Sequence, residues 1–312
     1  MRPSFNTTGP CFPDEHYMLP PERRLKRAMR LIEEHKFFTL TAGRQTGKTT
    51  SAMWLEEHLN ATGQWRALWV DIQTAREESD PAKAFRTVLS EVDLACRHVH
   101  PDAIRPNVEE LLHDPKTALH QYFTRLAQED SRPWVIFFDE ADGLVGEAMV
   151  SFLTQLRRGY VGRRREPFPT SVVLVGQRQV RDYSLREEER RALSWLGTTS
   201  PFNITAEGLT IGMFSREDVG ELLQQHTAKT GQVFLPEAME KIYELGQGHP
   251  WLTNAMADQI VNEDVEDRSI AITSAHVESA KETIILQRRT HIDSLVSKLR
   301  EERVRRIIDP ML

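Results

Sequence analysis

Residues 37–50 read FFTLTAGRQTGKTT, an apolar run that breaks into a glycine-containing turn and closes on Lys-Thr-Thr. Phe37 to Thr41 is a short, mainly apolar run, which predicts a strand buried on both faces. The following AGRQTGKT, Ala42 to Thr49, has Gly43 and Gly47 four residues apart and then a lysine and a hydroxyl. Such a turn aims successive backbone N–H groups inward, and the helix that begins there adds the positive end of its dipole, so anionic phosphates find a ready nest. The residues expected to form it are Ala42, Gly43, Arg44, Gln45, Thr46, Gly47, Lys48, Thr49 and Thr50. Gly47 allows close approach of the backbone, and Lys48 supplies a point charge to the β- and γ-phosphates. The Thr49 hydroxyl, rather than that of Thr50, is placed for Mg²⁺, a cation that prefers hard oxygen ligands.

Working outward, the same kind of run recurs as ALWVDI at 67–72, WVIFFD at 134–139 and SVVLVG at 171–176, with helical stretches between. Near-continuous apolar strands alternating with helices predict an α/β domain with a parallel sheet covered on both sides. A fifth strand is expected near Asn203 to Ile211. The run at 134–139 ends in Asp139 and Glu140, and ligands of open α/β sheets bind at the carboxyl ends of strands. Asp139 is expected to hold Mg²⁺, while Glu140 suits orienting and deprotonating a water. After the strand at 171–176 come Gln177 and Arg178, either of which could reach a γ-phosphate; the fixed charge of Arg178 favours it as a third catalytic group.

Before the loop, PERRLKRAMRLIEEH predicts a helix whose apolar stripe is Leu25, Ala28, Met29 and Ile32, and residues up to about 21 read as an extended arm. Beyond Phe214 only helices are expected. One opens on a Ser215/Asp218 cap and ends at Gly231, and two more start at Pro236 and Pro250. The organisation expected is an arm at 1–21, an α/β domain at 22–212, a helical lid at 213–262 and a C-terminal helical extension at 263–312.

With 39% hydrophobic and 28% charged residues the composition is that of an ordinary globular chain, and a formal net charge of −6 argues against a surface built throughout for nucleic acid. The two cysteines, Cys11 and Cys96, are far apart and suggest no disulfide framework. Neither a leader-like apolar region nor a bilayer-length apolar run is present, so a cytoplasmic protein without membrane partners is expected. Arg157, Arg158, Arg163, Arg164 and Arg165 could serve a neighbouring subunit's nucleotide, face a DNA backbone or simply face solvent. Cys96, His98 and His100 alternate as metal ligands might in a zinc site, but no fourth ligand lies nearby, and the segment reads as a helix end. The stretch 288–308, with seven basic and three acidic side chains, could favour an anionic partner or a packed amphipathic helix.

Several blocks in order resemble the bacterial AAA-like ATP-binding proteins at the boundary of AAA+ and STAND ATPases: NTTGPCFPDEHYMLPPERRL, GRQTGKTT, FFDEAD, LRRGYVGRRREPFP, GQRQVRDY, SPFNITAEGLTI, QGHPWLTNAMADQIV and RTHIDSLVSKLREERVRRIIDPML. The resemblance spans the arm to the last residue. It implies a P-loop NTPase three-layer sandwich, with a five-stranded parallel sheet in the order 5-1-4-3-2 and a smaller all-helical lid. It implies ATP or ADP with Mg²⁺, and slow hydrolysis of ATP to ADP and phosphate. Gly248-His249-Pro250 is similar to the GxP element of STAND proteins, with Pro250 against the adenine, and the arm at His16, Tyr17, Met18 and Leu19 is similar to the segment that covers the base. Such proteins often continue into a winged-helix-like region and a restriction-type nuclease fold. Ala42 departs from the family's first loop glycine, and no arginine finger can be assigned. The reading that follows is a nucleotide-dependent switch acting on a protein effector or on a second copy of the chain. Its rivals are a DNA-associated ATPase in defence or remodelling, a module with structural ADP, and, less favoured, a kinase.

Overall fold

The computed structural model describes residues 3–177 and 205–286. Arg178, the start of the strand expected at Asn203 and the basic stretch 288–308 lie outside the described residues. The chain packs as two units, one of residues 20–212 and one joining the arm to residues beyond 212.

The first unit is a five-stranded sheet of β1 (Phe38–Thr41), β2 (Arg66–Asp71), β3 (Trp134–Asp139), β4 (Ser171–Gly176) and β5 (Glu207–Thr210). Its order is β2-β3-β4-β1-β5 and every pairing is parallel, which is the order expected from the resemblance. Successive strand residues face opposite sides. Val135 and Phe137 of β3 accordingly pack with Leu40 and Val173 under α1 (Glu22–Glu33) and α2 (Lys48–Ala61). Ile136 and Phe138 pack with Leu68 and Leu174 under α3 (Pro81–Val99), α5 (Pro115–Gln128) and α6 (Gly146–Gly162), with the single turn α4 (Val108–Leu111) at the side. Two apolar faces on one sheet explain the unbroken apolar runs. The stripe of α1 is corrected in one position: Leu31 is buried beside Leu25, Ala28 and Ile32, whereas Met29 is only half-buried.

Because all strands run the same way, Thr41, Asp71, Asp139, Gly176 and Thr210 end at one edge of the sheet. At the opposite edge, buried Arg66 at the start of β2 pairs with Asp102 and Asp130. His100 lies 2.9 Å from the Ala67 carbonyl through Nε2 and 3.0 Å from Arg66 Nη1 through Nδ1. Burial lowers its pKa, and the neighbouring Arg66 adds to that, so the ring is a neutral linker at the end of α3. Cys96 is buried in the core, and among the described residues no metal-binding cluster of His, Cys, Asp and Glu occurs.

The second unit contains α7 (Arg216–Thr230), α8 (Pro236–Gly246), α9 (Pro250–Gln259), a π turn at Ile260–Asp264, and α10 (Ser274–Leu286). The predicted Ser215/Asp218 capping box is present, and Gly231 ends α7 at φ 82°. One core gathers Val219, Leu222, Ile242, Met256, Val277 and Ile284 together with Phe5, Tyr17 and Leu19 of the arm. Gly248 sits at φ 71°, and an added Cβ would collide with the Phe214 carbonyl oxygen. Its own carbonyl accepts the Phe214 N–H at 2.8 Å. Gly248→Ala therefore meets both a disfavoured backbone region and an immovable carbonyl, and should destabilise this unit by about 3 kcal/mol. Thermal melting of the variant checks this, and an unchanged Tm would contradict the close approach.

Candidate active site

The phosphate loop connects β1 to α2 at the carboxyl edge of the sheet. Its last residue, Gly47, is the N-cap of α2 at φ 88°, and Gln45 also has a positive φ of 55°. The glycine is the residue type that takes this conformation without strain. Thr46 is fully buried and donates its hydroxyl to the Gly43 carbonyl at 2.8 Å, which closes the turn. Lys48 is buried and donates through Nζ to the carbonyls of Ala42 at 3.2 Å and Gly43 at 2.8 Å, so the ammonium is folded over the loop. Burial lowers the Lys48 pKa, while Glu140, Asp139 and Asp142 pull it back up. Arg24 of α1 braces the outside of the loop, with Nη1 3.5 Å from the Thr46 carbonyl and 3.2 Å from that of Gly212.

Asp139 ends β3, separated from β1 by β4, and is 2% exposed. Thr49 Oγ1 donates to its Oδ2 at 2.8 Å, and Trp69 Nε1 donates to the same oxygen at 3.3 Å. The Glu140 N–H donates to the other oxygen at 3.0 Å. Burial pushes the Asp139 carboxyl up, against these three donors. The hydroxyl of Thr49 and the carboxylate of Asp139 are hard oxygen donors in direct contact, one from each side of the cleft between loop and strand, and this donor set fits Mg²⁺.

Glu140 leaves the strand in the left-handed region at φ 57°, an uncommon backbone for a non-glycine residue and one that recurs at functional sites. Its Oε2 accepts from Arg76 Nη2 at 2.5 Å. Burial raises the Glu140 pKa, Asp142 raises it further, and Arg76 lowers it. Trp69 and Arg76 are site neighbours that no sequence pattern disclosed. Both follow from β2 lying beside β3, and strand adjacency is not written in local sequence.

The structure thus brings Ala42 to Thr49 and Asp139 together at the ends of β1 and β3, the two strands that flank β4. Thr50 follows within α2 and is half-buried. The candidates of the second unit form a separate group. The Tyr17 hydroxyl is 3.2 Å from His226 Nδ1, and Met18 exchanges two backbone hydrogen bonds of 3.0 Å with the Gln225 amide. His16 Nδ1 accepts the Phe12 N–H at 3.0 Å, while Leu19 is buried. Pro250 is the buried first residue of α9, next to Trp251, whose Nε1 donates to the Thr7 carbonyl at 2.9 Å. Arm and α9 are therefore parts of one packed unit.

No curated protein sequence matches the chain. Among solved structures it is similar to the Walker-type ATPase of Pyrococcus abyssi, at 16% identity and a TM-score of 0.59, over 92% of this chain and 80% of that one. It is also similar to the ORC2 protein of Aeropyrum pernix in ADPNP–ADP complexes, at 12% identity and a TM-score of 0.50, over 83% of this chain and 65% of that one. A RuvB of Thermotoga maritima matches at 13% identity and a TM-score of 0.50, over 91% of this chain and 74% of that one. At such identities the likeness establishes the fold. A family model described as "AAA domain" matches residues 30–183, the segment that carries the loop, Asp139 and Glu140. That segment holds the loop, the acidic pair and four of the five strands, and residues 30–183 are an AAA-like P-loop ATPase domain.

Proposed function

We propose that the chain is an ATP-driven conformational switch that works with Mg²⁺ and turns over slowly. The observation that carries this reading is the 2.8 Å contact between Thr49, at the start of α2, and Asp139, at the end of β3, with Glu140 one residue further on. In this reading Lys48 exchanges its loop carbonyls for the β- and γ-phosphates, gaining charge-assisted bonds. Thr49 and Asp139 would hold Mg²⁺, which when bound would screen phosphate charge. Glu140 orients a water and takes its proton, with Arg76 fixing the carboxylate. Arg178 serves the γ-phosphate, and Pro250 with His16 to Leu19 serves the adenine, as in the STAND-like resemblance. The helical unit is then the lid, with arm and lid responding together to the nucleotide. A protein effector or a second copy of the chain receives the change. Single-turnover phosphate release from Mg-ATP is the direct test; a protein that binds ATP and releases none would be the static ADP module instead.

A second reading, a DNA-associated ATPase, is favoured by one feature. Arg163 and Arg164, with His35, Pro133 and Phe168, line a cavity of about 660 Å³ at the edge of the sheet opposite the phosphate loop. Arg163 stacks 3.8 Å over the Tyr160 ring, and among the described residues neither arginine pairs with a carboxylate. If this surface meets a DNA backbone, the double variant Arg163→Ala/Arg164→Ala should lower the salt dependence of oligonucleotide binding by a slope of about 2. Absence of DNA binding by the unaltered protein at low salt would remove this reading.

A further inference from the structure

Asp142 is the third carboxylate of the FFDEAD block and has no part in the reading above. It lies in the short 3-10 turn Ala141–Gly143 that follows Glu140. Its Oδ2 accepts the Gln177 N–H at 3.0 Å. A Cβ built on Gly176 would lie 2.6 Å from Asp142 Oδ1, so glycine is what admits the carboxylate against the end of β4. Asp142 Oδ1 is buried and accepts from no group among the described residues. On its other side Gly176 is tied to the phosphate loop: its carbonyl accepts the Ala42 N–H at 3.4 Å, and the Ala42 carbonyl in turn accepts from Lys48 at 3.2 Å. The end of β4 therefore stands between the acidic turn and the phosphate loop, bonded to both.

We infer that Asp142 is a positioning residue for hydrolysis, a clamp whose carboxylate holds the Gly176–Gln177 backbone between the Glu140 turn and the phosphate loop. The physical reason is that Glu140 and the loop sit on different strands, and a water attacking a γ-phosphate needs both in one fixed geometry. A displacement of about 1 Å can cost up to 100-fold in rate while leaving binding nearly intact. A half-buried carboxylate that accepts a backbone N–H through one oxygen and lies against the strand end with the other is a stiff way to fix that distance. The uncommon backbone of Glu140 and the glycine at 176 are then two parts of one device, because each lets the turn and the strand end approach.

This inference rests on the proposed ATPase reading with Glu140 as base, so the experiment includes Glu140→Gln beside the new variants. Steady-state ATP hydrolysis and binding of a fluorescent ADP analogue are measured on the full chain for Asp142→Ala, Asp142→Asn and Gly176→Ala. Asp142→Ala and Gly176→Ala should lower kcat about tenfold or more, with the nucleotide Kd within about twofold of the unaltered protein. Asp142→Asn keeps an oxygen for the Gln177 N–H and should recover most of that loss. Asp142→Ala hydrolysing at the unaltered rate while Glu140→Gln is inactive would overturn the clamp and spare the ATPase reading. Glu140→Gln hydrolysing normally would overturn the reading itself. Equal loss in the alanine and asparagine variants would assign the effect to charge and also overturn the clamp. Should Asp142→Ala fail to fold, Gly176→Ala decides, since its methyl attacks the same contact from the other partner.

Discussion

Lys48→Ala is expected to weaken Mg-ATP binding about 100- to 1,000-fold while leaving the fold in place. The lysine is 8% exposed and makes its two hydrogen bonds to the loop's own carbonyls, at 3.2 and 2.8 Å. Its hydrophobic contribution is small, and of the two carbonyls it releases that of Gly43 belongs to an exposed residue, where water can replace the ammonium. Melting temperature should therefore move little. Binding is different, because a triphosphate in the cradle would lose the buried cation that faces it. Truncating one partner of a desolvated charge pair costs about 3–4 kcal/mol, which is the stated range in Kd. Burial already lowers the Lys48 pKa, so the ammonium gains from an anionic partner more than an exposed lysine would. Titration of a fluorescent ATP analogue with excess Mg²⁺ measures the effect. Equal affinity in variant and unaltered protein would mean that the nucleotide binds elsewhere, and the assignment of Ala42 to Thr49 would fall with it.

The parts of this site that could be read in the sequence are those set by local rules. A buried strand, a left-handed glycine and a lysine at a helix start are encoded within 37–50. Asp139 and Glu140 end an apolar run, so their place at a strand tip followed from one segment. What could not be read depends on which strands are neighbours. Trp69 and Arg76 reach Asp139 and Glu140 only because β2 pairs with β3, from Arg66 beside Trp134 to Asp71 beside Asp139. Asp142 carries no local signal of its own, because its place depends on Gly176 of β4 lying against it. Leu31 replaced Met29 in the buried face of α1 because the stripe is wider than a minimal i, i+3, i+4, i+7 series. The arm was legible as irregular. Its anchoring through Tyr17, Met18 and Trp251 to residues more than 200 positions away was not.

Glu140→Gln should abolish most turnover and keep the nucleotide. The amide has the shape of the carboxylate and can still accept from Arg76, whose Nη2 now stands 2.5 Å from Glu140 Oε2. The left-handed backbone at φ 57° is unaffected by the change, and the backbone N–H that serves Asp139 stays where it is. What the amide lacks is a lone pair basic enough to take a proton from water. General-base catalysis of this kind contributes about 100- to 10,000-fold, so single-turnover phosphate release should fall within that range. Removing one negative charge beside the phosphates should, if anything, tighten Mg-ATP, whose Kd should stay within about threefold. The variant would then hold ATP where the unaltered protein holds ADP, and chromatography of the bound nucleotide after incubation reads that ratio. The contrast with Lys48→Ala is diagnostic: one change removes binding and the other removes chemistry, although Thr49 and Asp139 link the two residues across a single 2.8 Å contact. If the glutamine variant released phosphate as fast as the unaltered protein, Glu140 would be only a strand-end carboxylate paired with an arginine.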